Sequence, residues 1–303
     1  MNTPLNPEPE PRATASGVTP AALAATRPFY WSVRRELWEY RSIYLAPLAI
    51  GGVILIGYAF VLVGLPHAVR SAMTMNAQQQ RDALAHPFQV SAGLIMAASF
   101  IVSFFYAIDT LYGERRDRSI LFWKSMPVSD ITTVLAKAFV LLVLLPMVSY
   151  VITALTEGII LLLSSAVIAA NGLSVAAFWM QLMPIEGMRA LLYHLISVHI
   201  LWYAPFYCWL MLISAWSKRA PFLWALLPPF AVTIFERIVF HTAYVANFLT
   251  RRLAGGSDGG DMLDPEMKMV VHFVLTPGLW FGLLFAAAFL VAAAQIRRYR
   301  GPV

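Results

Sequence analysis

Charge is what this sequence has least of. Asp, Glu, Lys and Arg make up 13% of its 303 residues and 59% are hydrophobic, whereas a soluble domain carries roughly 25% charged residues. So little charge excludes an ordinary soluble globular domain and points to an integral membrane protein. Cysteine is nearly absent too. The one thiol, Cys208, lies in an apolar run, which excludes an intrachain disulfide framework. The apolar runs are continuous rather than alternating, so they are candidate helices and not barrel strands.

Chemical motifs are missing as well. No G-x-S-x-G or H-E-x-x-H occurs to suggest hydrolytic chemistry. His194 and His199 are five apart with no carboxylate or Cys at ligand spacing, so metal binding is not expected. No G-x-x-x-x-G-K-[ST] and no long soluble stretch is present, so no phosphate-cradling loop is encoded. The two halves show no convincing repeat, which gives inverted-repeat carriers no support. Residues 1–25, rich in Pro, Ala and Thr, lack the basic start and apolar core of a secretory signal. They read as a disordered cytoplasmic tail.

What is there is a series of apolar runs, each near the 20 residues or so that cross a hydrocarbon core of roughly 30 Å. Six spans are expected. The first runs from about Ile43 to Gly64, the second from Val90 to Tyr112, and the third begins near Thr133. The fourth covers Met188 to Trp216, the fifth Pro221 to Phe240 and the sixth His272 to Ile296. Lys and Arg near the span ends set orientation. Fourteen lie before the first span, around the second-to-third loop, in the fourth-to-fifth turn and after the last span, against seven on the opposite side. Both termini are therefore expected in the cytoplasm.

Thr133 to Ala170 is almost unbroken and would be about 57 Å long as one helix. A break near Gly158 is expected, with the remainder dipping back or lying at the outer surface. Pro228-Pro229 should break or kink the fifth span. The polar stretch that follows it, 241–271, reads as an external segment.

Two segments carry functional interest. Thr26 to Tyr44 looks like an interfacial helix, with Thr26 as a cap and Pro28 in its first turn. Tyr30, Val33, Leu37, Tyr40 and Tyr44 recur at helical spacing, while Arg34, Arg35, Glu36, Glu39 and Arg41 take much of the remaining surface. Trp31 and Trp38 suit the headgroup zone. Such a helix either anchors the chain at the membrane surface or also docks a partner. The second segment, Leu111 to Asp130, packs five charges into Glu114–Arg118 and follows them with "SILFWKSM". Pro127 stops that turn, and Ser129 or Asp130 caps the third span. This is either a positive-inside loop with its aromatics on the lipid surface, or a rigid two-faced knob for a groove on another protein.

Gly113 to Lys137, "GERRDRSILFWKSMPVSDITTVLAK", resembles the first cytoplasmic loop of bacterial type-2 ABC (ATP-binding cassette) exporter permeases. The resemblance extends to layout and implies an all-α integral membrane protein. Its parts would be an elbow helix (26–42), a six-helix permease domain (43–300), a coupling loop (113–130) and the external segment. It implies a place in the bacterial inner membrane among lipid, a second copy or homologue, and a separate ATP-binding subunit that supplies ATP and Mg. No cofactor of its own and no nucleic-acid partner are expected. By the same resemblance Glu114, Arg115, Arg116 and Asp117 set the charge contacts with the ATPase. Ile120, Leu121, Phe122, Trp123, Lys124 and Met126 form the docked knob.

Ionisable groups at bilayer depth are functional candidates by default. Asp109 is expected to pair with Lys137, or to serve coupling directly. Glu157 lies some 30 Å along from Lys137, near the outer interface. Glu236 and Arg237 mark the outer end of the fifth span without pairing. Trp202, Tyr203, Phe206, Tyr207 and Trp209 either pack in the core or line a path for an amphipathic substrate. An intramembrane enzyme using Asp109, Glu157 or the histidines, and a sensor or assembly protein using the same loop, are the competing readings.

Overall fold

A computed structural model describes residues 27–126, 128–253, 273 and 275–301. All regular structure among them is helical. Five helices are long and apolar enough to cross a membrane, or six when one bent pair is taken as a single span. This is the architecture of an all-α membrane protein. The tail, 1–25, and most of the external segment, 254–271, lie outside the described residues.

The first helix, α1, is Pro28–Glu39. Pro28 suits its opening turn because a missing N–H costs nothing there. The cap position falls on Arg27, in a left-handed conformation and without a side-chain bond. The expected cap, Thr26, lies outside the described residues. Trp31 and Trp38 are exposed and Val33, Leu37 and Tyr40 pack on the main core. The departure is Glu36, expected on the polar face but 1% exposed.

Helices α2 (Ser42–Ala72) and α3 (Ala77–Asp109) extend well beyond the expected first and second spans. Asn76 starts α3 by accepting from the Gln79 amide at 2.9 Å. Two short helices follow, α4 (Tyr112–Arg116) and α5 (Ile120–Ser125). Ser129 then caps α6 (Asp130–Phe139), accepting from the Thr132 amide at 3.1 Å.

The expected break at Gly158 is absent. Asp130 to Ala170 is one helical rod of 41 residues, roughly 60 Å long at 1.5 Å per residue. It comprises α6, a π-turn at Val140–Leu144 and α7, Leu145–Ala170. The wide turn lies just before Pro146, whose ring would clash with the carbonyl four residues back in a regular helix. A mid-helix glycine costs only about 1 kcal/mol, and α2 offsets it by packing along α7. Gly51 of α2 sits so close that a Cβ there would meet Thr156 Oγ1 at 2.8 Å. Farther along, the Tyr58 and Ser164 hydroxyls bond at 2.7 Å. The chain turns at Gly172, with φ of 69°.

Helix α8 (Val175–Leu182) meets α9 (Pro184–His194) at Met183, with φ of 45°. A π-segment, Leu195–Trp202, leads into α10 (Ala204–Trp216), and the α8–α10 run bends by 46° at Tyr203. Pro205 again accounts for the irregularity just before it. Pro228-Pro229, by contrast, does not interrupt α11, Pro221–Val239. Pro229 cannot donate to the Ala225 carbonyl, and Trp209 Nε1 does so instead at 3.2 Å. The start of the expected external loop is itself a helix, α12 (Tyr244–Leu253), before the last span α13 (Pro277–Tyr299). The Glu236 carboxylate accepts from the Tyr244 and Val245 amides at 2.6 and 2.8 Å, so it caps α12.

The main core gathers residues of α3, α6, α10 and α13 with the inner face of α1. Of the span-four aromatics, Tyr203, Phe206, Tyr207 and Trp209 are part of it, and Trp202 packs in a smaller cluster with Val198 and Leu279. Tyr207 is 1% exposed and Phe206 stacks on Phe100. Outer faces of α2 and α11, such as Val53, Phe60, Phe230 and Ile234, are exposed and apolar.

Candidate functional site

Beneath the α4–α5 loop two carboxylates are buried together. Glu36 comes from α1 and Glu114 from α4, each with a side chain 1% exposed. Neither could remain charged there unpaired, because an isolated buried carboxylate loses its hydration. The pairing is extensive. Lys137 Nζ of α6 lies 2.8 Å from Glu36 and 3.1 Å from Glu114. Arg35 Nη2 reaches the same two carboxylates at 2.5 and 2.7 Å. Arg297, near the end of α13, pairs with Glu114 and lies 3.0 Å from Asp130. Three anions thus face three cations, with Glu39 at the rim as a fourth carboxylate, half-exposed and 3.7 Å from Arg35. The Tyr106 hydroxyl donates to Glu36 at 2.9 Å, and Lys137 donates to Thr110 at 3.1 Å. Around Arg35, burial disfavours the charged form, but Glu36 and Glu114 outweigh it and hold the guanidinium above its ordinary value. Burial first, and Glu36 second, raise the Glu39 carboxyl.

The cluster corrects the expected Asp109–Lys137 pair. Asp109 faces the other way, 3.6 Å from Arg116 and within 3.3 Å of the Tyr40 hydroxyl. Burial, then Asp109, raises the Tyr40 phenol. The reason is geometric: Lys137 points inward toward α1, and Asp109 sits at the edge of the loop, packed on Gly113.

The loop residues divide into two sets. Glu114, Arg115 and Ile120 turn inward, at 3%, 3% and 0% exposure, so they are not free surface contacts as expected. Arg115 Nη1 donates to the carbonyls of Ala215 and Ser217 at 2.5 and 3.1 Å, capping the end of α10. Ser214 Oγ reciprocates by accepting from the Leu111 and Tyr112 amides. Lys124 Nζ donates to the carbonyls of Arg298 and Arg300 at 3.2 and 3.0 Å, closing the end of α13. Trp123 lies under Arg35, whose guanidinium is 4.0 Å from its ring centre. Facing outward are Leu121, Phe122 and Met126, at 58%, 59% and 44% exposure. Arg116 and Asp117 flank them, paired at 2.9 Å. Of the α1 residues singled out, Arg34 lies over Trp38, Arg35 enters the cluster and Glu39 lies 3.7 Å from Arg35.

The arrangement is a small apolar knob on α5, itself tied to α1 through Trp123 and to the end of α13 through Lys124. It is preceded by α4, whose Glu114 and Arg115 bind α1, α6, α10 and α13 by charge and by helix capping. Sequence reading missed Glu36, Tyr106, Thr110 and Arg297. Glu36 carried a signal: it is three residues after Val33 and four before Tyr40, on the same helical stripe. Glu157 lies elsewhere, on α7 beside a cavity lined by residues of α3, α8 and α9. No group of three or more metal-ligating side chains occurs among the described residues. No family model, curated protein or solved structure matches the chain.

Proposed function

We propose that this chain is the membrane permease subunit of an ATP-driven exporter of the type-2 ABC class. In this reading α5 is the coupling helix, α1 the elbow helix, and ATP and Mg reside on a separate ATPase subunit. The loop and both termini face the cytoplasm of a bacterial inner membrane, on the side richer in Lys and Arg. A second copy or a homologue completes the transport path.

One observation carries the reading. Leu121 and Phe122 project from a six-residue helix and Met126 from the extended position that ends it, while Glu114, a few residues before the helix, is held by Lys137 and Arg297. Apolar residues that project without covering any of the chain's own core fit a groove on a partner. The inner bonds give that contact mechanical reach. A displacement of α5 by closing ATPases would be felt through the cluster at α1, α6 and α13, since a buried ion pair resists separation by several kcal/mol. An enzymatic role for Asp109 finds no such support, as Asp109 is tied to Arg116 and Tyr40 at the surface.

The test is whether the chain co-purifies with an ATP-binding-cassette ATPase supplied as a separate polypeptide. The Leu121→Ala/Phe122→Ala double variant is expected to lose the ATPase while keeping its own fold. Retention of the ATPase with unchanged nucleotide turnover would refute the docking role.

A further inference from the structure

We propose that the cavity between α3, α7 and the α8–α9 elbow is a binding site for a lipophilic organic monocation, with the Glu157 carboxylate as its counter-ion. The cavity measures about 740 Å³, within the several-hundred-Å³ range of small-molecule sites. Phe88, Leu161, Trp179, Leu182 and Met188 make most of its wall apolar. Into this wall α7 places Glu157, which has no hydrogen bond or ion pair among the described residues. The other acidic residue at the cavity, Glu186, is already taken by Arg189 at 2.5 Å. His194 also lines the wall, packed edge-on against His199 at 5.8 Å.

Charge complementarity selects the ligand. A lone carboxylate beside apolar surface is costly, and a cation that brings its own apolar surface relieves that cost while filling the cavity. A second feature points the same way. Trp179 Nε1 is held by Ser165 Oγ at 2.9 Å, which fixes the orientation of an indole ring that lines the same space. Aromatic faces attract cations. An inorganic cation fits poorly, because hard ions demand several oxygen ligands and the cavity presents one unpaired carboxylate. An organic anion would meet Glu157 with repulsion.

The inference does not rest on ATPase docking, and its assay needs only the full chain in detergent. Equilibrium dialysis with tetraphenylphosphonium is expected to show saturable binding at one site per chain. Tetraphenylborate, of similar shape and opposite charge, should bind far more weakly. Glu157→Gln should weaken the cation by roughly tenfold or more, the scale of one partly buried charge pair. Should that variant unfold, Ala154→Phe, which narrows the cavity without touching the charge, should also weaken binding. The Leu121→Ala/Phe122→Ala chain should bind like wild type, which separates this site from the docking surface. Absence of saturable cation binding, equal binding of the two ions, or full affinity in both cavity variants would overturn the assignment.

Discussion

Lys137 and Glu36 meet at 2.8 Å with both side chains 1% exposed, although 101 residues separate them in sequence. The ammonium has no water to fall back on, so its partners are obligatory. Lys137→Met leaves Glu36 and Glu114 with Arg35 and Arg297 as their remaining charged partners. Glu36→Gln leaves Lys137 with Glu114 as its remaining charged partner, beside the Thr110 hydroxyl. Each single change is expected to destabilise the chain by about 3–5 kcal/mol, the usual cost of breaking a buried pair. Thermal unfolding in detergent measures it. The double change should be much less damaging than the sum of the two, and simple additivity would contradict a shared cluster.

The all-helical architecture with five or six apolar spans, and the helix α1, were legible in the sequence because they depend on composition and short-range periodicity, which a linear reading captures. What escaped depends on partners distant in the chain. Gly158 looked like a break because glycine is a poor helix former, yet α2 packs along the rod through Gly51 and Tyr58. Pro228-Pro229 looked like a kink, yet Trp209 satisfies the carbonyl that Pro229 leaves open. The polar start of the external segment looked like loop, yet Glu236 caps a helix there. At the site, residue types identified a charged knob, but which charges face in and which face out was set by α1, α10 and α13.

Trp209 offers a direct test of the α11 explanation. Trp209→Phe keeps an aromatic ring against Phe289, its neighbour at 5.6 Å, and removes only the donor to Ala225. A buried carbonyl left without a partner costs about 1–3 kcal/mol. Unfolding temperature is expected to fall accordingly, and proteolysis within α11 should increase. An unchanged protease pattern would mean the paired prolines need no such support.

The α2–α7 contact predicts a second-site rescue. In Gly51→Ala the added methyl meets Thr156 Oγ1 at 2.8 Å, closer than a carbon and an oxygen tolerate. Overpacking of this kind costs typically 1–3 kcal/mol. Combining it with Thr156→Ala removes the obstructing hydroxyl, leaving Ile152 Cγ2 at 3.6 Å as the next neighbour, an ordinary contact. The double variant should recover most of the lost stability in a thermal unfolding assay.

Glu39 gives a pH dependence of defined sign. Burial and the nearby Glu36 carboxylate raise its pKa in the folded chain, so protonation is favoured by folding. Its contribution to stability is therefore fully present below the ordinary carboxylate range and is lost as pH rises through the raised value. Glu39→Gln removes that loss. The variant should match or slightly exceed wild-type stability at neutral pH, with the difference shrinking on acidification. A wild-type advantage that grows toward neutral pH would show that the Arg35 contact outweighs burial.

Orientation can be read with a single thiol. The native Cys208 is 0% exposed and buried in the α10 core, so wild-type chain should react little with a membrane-impermeant maleimide. Leu121→Cys places a thiol on the exposed face of α5, where the side chain is 58% accessible. If the Lys- and Arg-rich side is cytoplasmic, labelling occurs in inside-out vesicles and not in right-side-out ones. Adding the ATPase subunit should then protect the same thiol, since the knob would be covered. Labelling from the opposite side would invert the topology on which the coupling role depends, whereas correct sidedness without protection would leave the topology standing and remove the docking contact.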